Sequence, residues 1–239
     1  VSISTLREWD DFPGYRFGLA DEENDDSGNV TALEDLPVTD DDGKASFPVT
    51  IEAVPSTTRL LGATVTVRMK EGGGRAVERD IDVGIAPGTD MIGIRPEFSG
   101  EQVAENSQAS FRVIVVTPEA ERTDMRNLSW RLEKIDRHYQ WYRSNNSWNY
   151  EPITVTTKVA DGRIDATAAS EPQITVPVTW GRYRLEVDSP DASGPATSVE
   201  FSAGWFVEAT STETPDGLEI ALDKESYHAG ETARLNVSP

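Results

Sequence analysis

There is no cysteine among the 239 residues of this chain. Its absence excludes a disulfide framework, a cysteine nucleophile and a thiolate metal site within them. Such complete avoidance of thiols suits an exported envelope protein better than a cytosolic one. Basic residues are also scarce, 22 against 42 acidic ones, for a net charge of −20. A chain so acidic offers no basic patch for phosphate, which argues against nucleic acid or an anionic membrane as partner. No run approaches the ~20 apolar residues of a membrane span. Val1 opens without a Met or a charged leader region, so any export signal or anchor is expected upstream. Only two histidines occur, His138 and His228. They fall in different predicted domains, so a Ser-His-Asp arrangement would need an inter-domain cleft. No zincin, nucleophile-elbow or phosphate-loop pattern is present, and no pair of the many carboxylates is singled out by spacing. The chain is therefore expected not to be an enzyme and to need no cofactor.

What is present is strand. Val1, Ile3 and Thr5 alternate with Ser2, Ser4 and Leu6; Phe47, Val49 and Ile51 share one face of Ser46–Ile51. Ala63–Met69 and Ala76–Val83 alternate on either side of Gly72-Gly73-Gly74, which predicts a hairpin and its turn. Ala86-Pro87-Gly88-Thr89 then interrupts the pattern, and a second one begins at Met91. It includes Ala109–Val115, Asn127–Ile135, Gly162–Thr167, Ile174–Val178, Tyr183–Val187 and Val199–Phe206 as strands. Glycine and proline are spread throughout, and no window holds an uninterrupted helical period.

The final stretch repeats an earlier one. Aligning Ala109 on Ala233 places Phe111 on Leu235, Val113 on Val237 and Val103 on Tyr227. Leu218–Leu222 and Ala233–Val237 thus open a further β-domain, which two strands cannot complete. The chain is expected to continue beyond Pro239, with residues 218–239 docked on the second domain or poorly ordered. The expected architecture is all-β, in tandem immunoglobulin-like or fibronectin-III-like antiparallel sandwiches. The domains are placed at 1–88 and 89–210, with 211–239 as a linker and truncated third.

Two groups of residues could carry binding chemistry. The acidic runs Asp21–Asp26 and Asp40-Asp41-Asp42-Gly43 offer hard oxygen ligands, with Asp40 and Asp42 as weak calcium candidates. Neither has the ligand alternation of an EF-hand loop, and a local acidic turn is the preferred reading. The aromatic group Tyr139, Trp141, Tyr142, Trp148 and Tyr150, split by a turn at Ser144–Ser147, could form an interaction surface for a sugar or a protein. Cross-strand packing within a hairpin is the competing and preferred explanation.

Several segments together resemble the bacterial alpha-2-macroglobulin-like proteins. They are Phe12-Pro13-Gly14-Tyr15-Arg16-Phe17-Gly18 running on to Glu22, Thr39–Ala45, Gly74–Glu78, Tyr139–Tyr142 with Trp148–Tyr150, Trp180–Tyr183, and Leu222–Tyr227 with Gly230–Leu235. The resemblance implies consecutive macroglobulin-like domains, seven-stranded antiparallel sandwiches, from a periplasmic or cell-envelope endopeptidase inhibitor. Proteins of this kind look like traps that rearrange when a protease cuts a bait segment, and many add a Cys-Gln thioester. Without cysteine the thioester centre would lie elsewhere, and the bait is expected outside this stretch too. The partners implied are neighbouring macroglobulin-like domains of the same chain and, for the whole protein, a target endopeptidase. The alternative is a set of immunoglobulin-like modules from a bacterial adhesin or carbohydrate-binding surface protein.

Overall fold

The computed structural model describes residues 1–22, 30–33, 36–51, 54–70, 74, 76–144, 147–204, 219–222 and 226–238. Among them there is no helix. Several expected features lie outside the described residues: the acidic stretch from Glu23 to Gly28, Gly72 and Gly73 of the glycine turn, Asn145 and Asn146 of the aromatic hairpin's turn, Trp205 and Phe206, and Leu218.

The first third of the chain supplies β1 (Ser2–Leu6), β2 (Arg16–Phe17), β3 (Leu60–Met69) and β4 (Val77–Ile85). Of these, β1, β3 and β4 form one antiparallel sheet in that order. Its register is written in side chains on one face. Thr64 Oγ1 donates to Asp82, Thr66 Oγ1 to Asp80, each at 2.7 Å, and Arg68 pairs with Glu78. A slip of one residue would put these polar groups on the other face, where Val65 lies opposite Ile81 and Met69 opposite Val77. Met69, Val77, Ile81 and Val83 remain exposed on that apolar side. The strand expected at Ser46–Ile51 is absent: the segment is irregular chain, with Phe47 half-buried and Val49 and Ile51 exposed. Pro48 lies within it and removes a ladder donor.

The second unit is a sandwich of β5 (Met91–Pro96), β6 (Gln102–Val103), β7 (Ser107–Val116), β8 (Met125–Ser144), β9 (Ser147–Ala166), β10 (Gln173–Val178), β11 (Gly181–Asp188) and β12 (Ala196–Ala203). One sheet runs β10-β7-β5-β2 and the other β6-β12-β11-β8-β9. Alternation explains the layer between them. Ile174, Val176 and Val178 of β10 are buried while Thr175 and Pro177 face solvent, and Leu185 and Val187 of β11 do the same from the opposite sheet. At the centre Phe111 packs against Phe98 and Phe201 at 5.4 and 5.2 Å between ring centroids, and Tyr183 stacks on Phe201 at 5.5 Å. The Tyr183 hydroxyl is satisfied by donating to the Thr179 carbonyl at 3.0 Å. A last hairpin, β13 (Glu219–Leu222) and β14 (Leu235–Ser238), pairs with itself, leaving Leu235 and Val237 more than half exposed.

Both faces are apolar at one end of the first sheet of this sandwich. On β7 Val113 and Val115 point into the main core, while Ile114 and Val116 point the other way. Their cover comes from the start of the chain: Tyr15, Phe17 and Leu60 join Met91, Ile114 and Val116 in a second core, edged by Trp9 and Phe12. Gly93 makes room for it, since a Cβ there would lie 2.9 Å from both Phe17 and Ile114. Truncation of the fully buried Phe111 to Ala is expected to lower the unfolding free energy by about 3–5 kcal/mol, measured by urea titration. A loss below about 1 kcal/mol would show that the aromatic group is not the centre of the core.

Candidate functional site

The aromatic cluster lies on a projecting arm. Strands β8 and β9 are each 20 residues long, but β11 pairs with β8 only from Ser129 to Ile135. The pairs from Asp136↔Val155 to Ser144↔Ser147 therefore extend past the sheet as a two-stranded ribbon. At ~3.4 Å per residue its reach is about 30 Å. Trp148 is 67% exposed, Tyr142 46% and Tyr150 40%, with Ile153 and Val155 exposed nearer the base. Position 141 pairs with Tyr150 and position 139 with Pro152; the side chains of Tyr139 and Trp141 lie outside the described residues. Aromatic and β-branched side chains at this exposure on a free ribbon suit a contact surface.

At the acidic turn, Asp40 Oδ1 accepts from the backbone N–H groups of Asp42, at 3.0 Å, and Lys44, at 2.8 Å. Gly43 closes the turn at φ +77°. The oxygens offered for calcium are thus used locally in part, and among the described residues no three His, Cys, Asp or Glu side chains converge on a metal position. Of the two histidines, His138 has its side chain outside the described residues, and His228 donates its backbone N–H to Glu231 in a turn.

A third arrangement was visible in the sequence only through Phe12–Glu22, one of the segments that carry the family resemblance. Residues 7–22 leave the first sheet after β1 and run along the open edges of the second unit, pairing with β5 of one sheet and hydrogen bonding to β12 of the other. On one side β2 pairs with β5, Arg16 opposite Ile94 and Phe17 opposite Gly93. On the other, the Gly18 N–H donates to Thr197 Oγ1 at 3.0 Å, the Ser198 N–H to the Gly18 carbonyl at 3.1 Å, and the Ala20 N–H to Ser198 Oγ at 2.8 Å. Two arginines hold the backbone of the segment. Arg7 donates to the carbonyls of Phe17, Gly18 and Ser198; Arg59 donates to those of Leu19, Ala20 and Glu22. Burial, with Arg59 and Arg16 nearby, pushes the Arg7 guanidinium down to about 10. Gly18 sits at φ +74°, and a Cβ there would meet the Arg59 backbone at 2.7 Å, so no other residue fits without displacement.

Glu22 fastens the end of this segment by accepting from the Thr58 N–H at 3.0 Å and from the Thr58 hydroxyl. Partial burial works against its charge, but hydrogen bonds from Thr57 and Thr58 and the nearby Arg59 hold the carboxyl below its ordinary 4.5. An acid with a lowered folded pKa contributes fully above its unfolded value and is lost as pH falls through the folded one. The Thr58 amide resonance is expected to titrate with a midpoint below 4.5; a midpoint above it would mean that Glu22 is not held as described.

Residues 1–87 match the bacterial alpha-2-macroglobulin MG5 domain, and residues 93–205 match bacterial macroglobulin domain 6. Alpha-2-macroglobulin of Xylella fastidiosa is 27% identical over 234 residues, 96% of this chain and 14% of the relative. The cryo-EM reconstruction of native Escherichia coli alpha-2-macroglobulin superposes with a TM-score of 0.68 at 27% identity, over 99% of this chain and 16% of that one. The structure of the Escherichia coli protein activated by porcine elastase gives 0.66 at 28%, over 92% and 19%. The chain spans about one seventh of the length of the curated relatives it matches. With two consecutive macroglobulin domains matched from residue 1 to 205 and this fold shared across their joint, the chain belongs to the bacterial alpha-2-macroglobulin family.

Proposed function

We propose that the chain is a scaffold segment of a bacterial protease trap, an endopeptidase inhibitor of the alpha-2-macroglobulin type. The observation that carries this reading is the unbroken succession of an MG5 and an MG6 domain joined by a shared core. The modules are taken as 1–88 and 89–210, with 211–239 opening a third. Their part is to hold geometry that a cut elsewhere releases, since a joint of packed strands moves as a body rather than bending. The thioester, where a relative has one, requires a cysteine and so falls outside these residues; the bait is assigned outside them as well. The aromatic arm is assigned to a neighbouring macroglobulin domain of the same chain, in a periplasmic or envelope protein whose target is an endopeptidase.

The exposure of Trp148 and Tyr150 supports a second reading, a carbohydrate-binding or adhesive module, because exposed rings stack on sugars. The two separate by experiment. Under the trap reading, the whole protein shifts in native-gel mobility after a single endopeptidase cut, and residues 1–239 alone leave the protease fully active. Inhibition by these residues alone would place the active element inside them. Replacement of Trp148 and Tyr150 by Ala is expected to speed hydrogen exchange along 136–155 in the whole protein. The isolated segment should keep its unfolding free energy within about 0.5 kcal/mol per substitution. Loss of binding to immobilised glycans, without a change in exchange, would favour the second reading.

A further inference from the structure

We propose that the gap between β5 and β12 is a strand-acceptor site, and that its ligand is the chain's own segment Arg7–Glu22. The inference rests on geometry and is independent of the trap reading. Thr197 and Ser198 are fully buried hydroxyl residues on β12. Their partners come largely from the inserted segment: Gly18 N–H reaches Thr197 and Ala20 N–H reaches Ser198, while Thr197 Oγ1 in turn donates to the Ile92 carbonyl of β5 at 2.6 Å. One hydroxyl thus ties both walls of the gap to the segment between them. Remove the segment and the edges of β5 and β12, the Ser198 hydroxyl and the apolar side chains Met91, Ile114 and Val116 lose their cover together.

The division of labour within the site follows from magnitudes. Burial of a large apolar side chain in the second core outweighs an exposed ion pair such as Arg16–Glu8 several-fold. Affinity therefore comes from Tyr15 and Phe17, and register from Gly18, Thr197 and Ser198. Main-chain pairing for affinity with pockets for alternate side chains is the physics of strand addition. Here the added strand comes from the first module, so it locks the two modules into one body.

The test uses the whole chain cut at one point. A cleavage site inserted after Gly43, in the exposed turn, separates 1–43 from 44–239 without touching the acceptor. The two pieces are expected to co-elute at the mass of the intact chain at micromolar concentration. Arg7→Ala and Thr197→Val should each weaken their association at least about tenfold, since each leaves buried polar groups unpaired. Thr197→Ser, which keeps the hydroxyl, should restore most of it. Separation of the unaltered pieces would overturn the proposal. So would association of both variants as tight as that of the unaltered pieces, which would show that β1–β3 pairing alone holds them. A species of twice the mass with exchanged segments would assign the site to a second copy instead and overturn the intrachain assignment.

Discussion

Strands β5 and β7 are apolar on both faces at the end where they meet the first module, and the rest of the structure depends on how the second of those faces is covered. A sheet with one buried face needs one opposing layer; a sheet with two needs two. The second sheet of the sandwich covers Ile92, Ile94, Val113 and Val115. Among the described residues, the aromatic segment from Trp9 to Phe17 covers Met91, Ile114 and Val116, together with Leu60. Burial on the order of 10 kcal/mol, summed over six side chains before the entropy of ordering them, fixes that segment where it lies. Once it is there, Gly18 must turn at positive φ, its backbone groups must find partners, and the hydroxyls of Thr197 and Ser198 supply them.

The charged network on the outer face of the sandwich has a different role. Arg131 bridges Glu133, Glu186 and Asp188, and Arg184 links Glu133 to Asp21 at the end of the inserted segment. Burial pushes the Glu186 carboxyl up, while Arg131 works against that and the neighbouring Asp188 adds to it. Pairs of this kind contribute little net stability, because desolvation offsets most of the attraction. Their effect is to align strands β8 and β11 and to attach the inserted segment to that sheet in one register. The aromatic arm grows directly from the same strands, so its direction is set by a rigid base although, among the described residues, no third strand pairs with it.

For the proposed scaffold role, a trap that works by rearranging rigid bodies needs units that do not bend internally, and a strand shared between modules would provide such a unit. It also needs surfaces by which each unit meets its neighbours. The exposed apolar side of the first sheet and the arm at Tyr142, Trp148 and Tyr150 both carry exposed large apolar side chains. Both are made of side chains that ordinary solvation would disfavour, as expected of modules drawn from a larger assembly.

Much of this was legible in the chain itself. The hairpin of Ala63–Met69 with Ala76–Val83, the strands at Ala109, Ile174 and Tyr183, the aromatic hairpin and the family resemblance all follow from alternation, turn residues and motif order, which are local, whereas the merging of Asn127–Ile135 and Gly162–Thr167 with that hairpin into two 20-residue strands was not read from them. Ser46–Ile51 alternates equally well yet forms no strand, because alternation describes a face and does not supply a partner. The destination of Phe12–Glu22 was equally hidden: β2 is two residues long, too short for any period, and its partners lie at positions 93–94 and 197–198. Side-chain periodicity and residue order specify an all-β chain of macroglobulin type. That the two modules share a strand and a core emerges from packing, because it depends on which edges and which second faces are left open after every local element has formed.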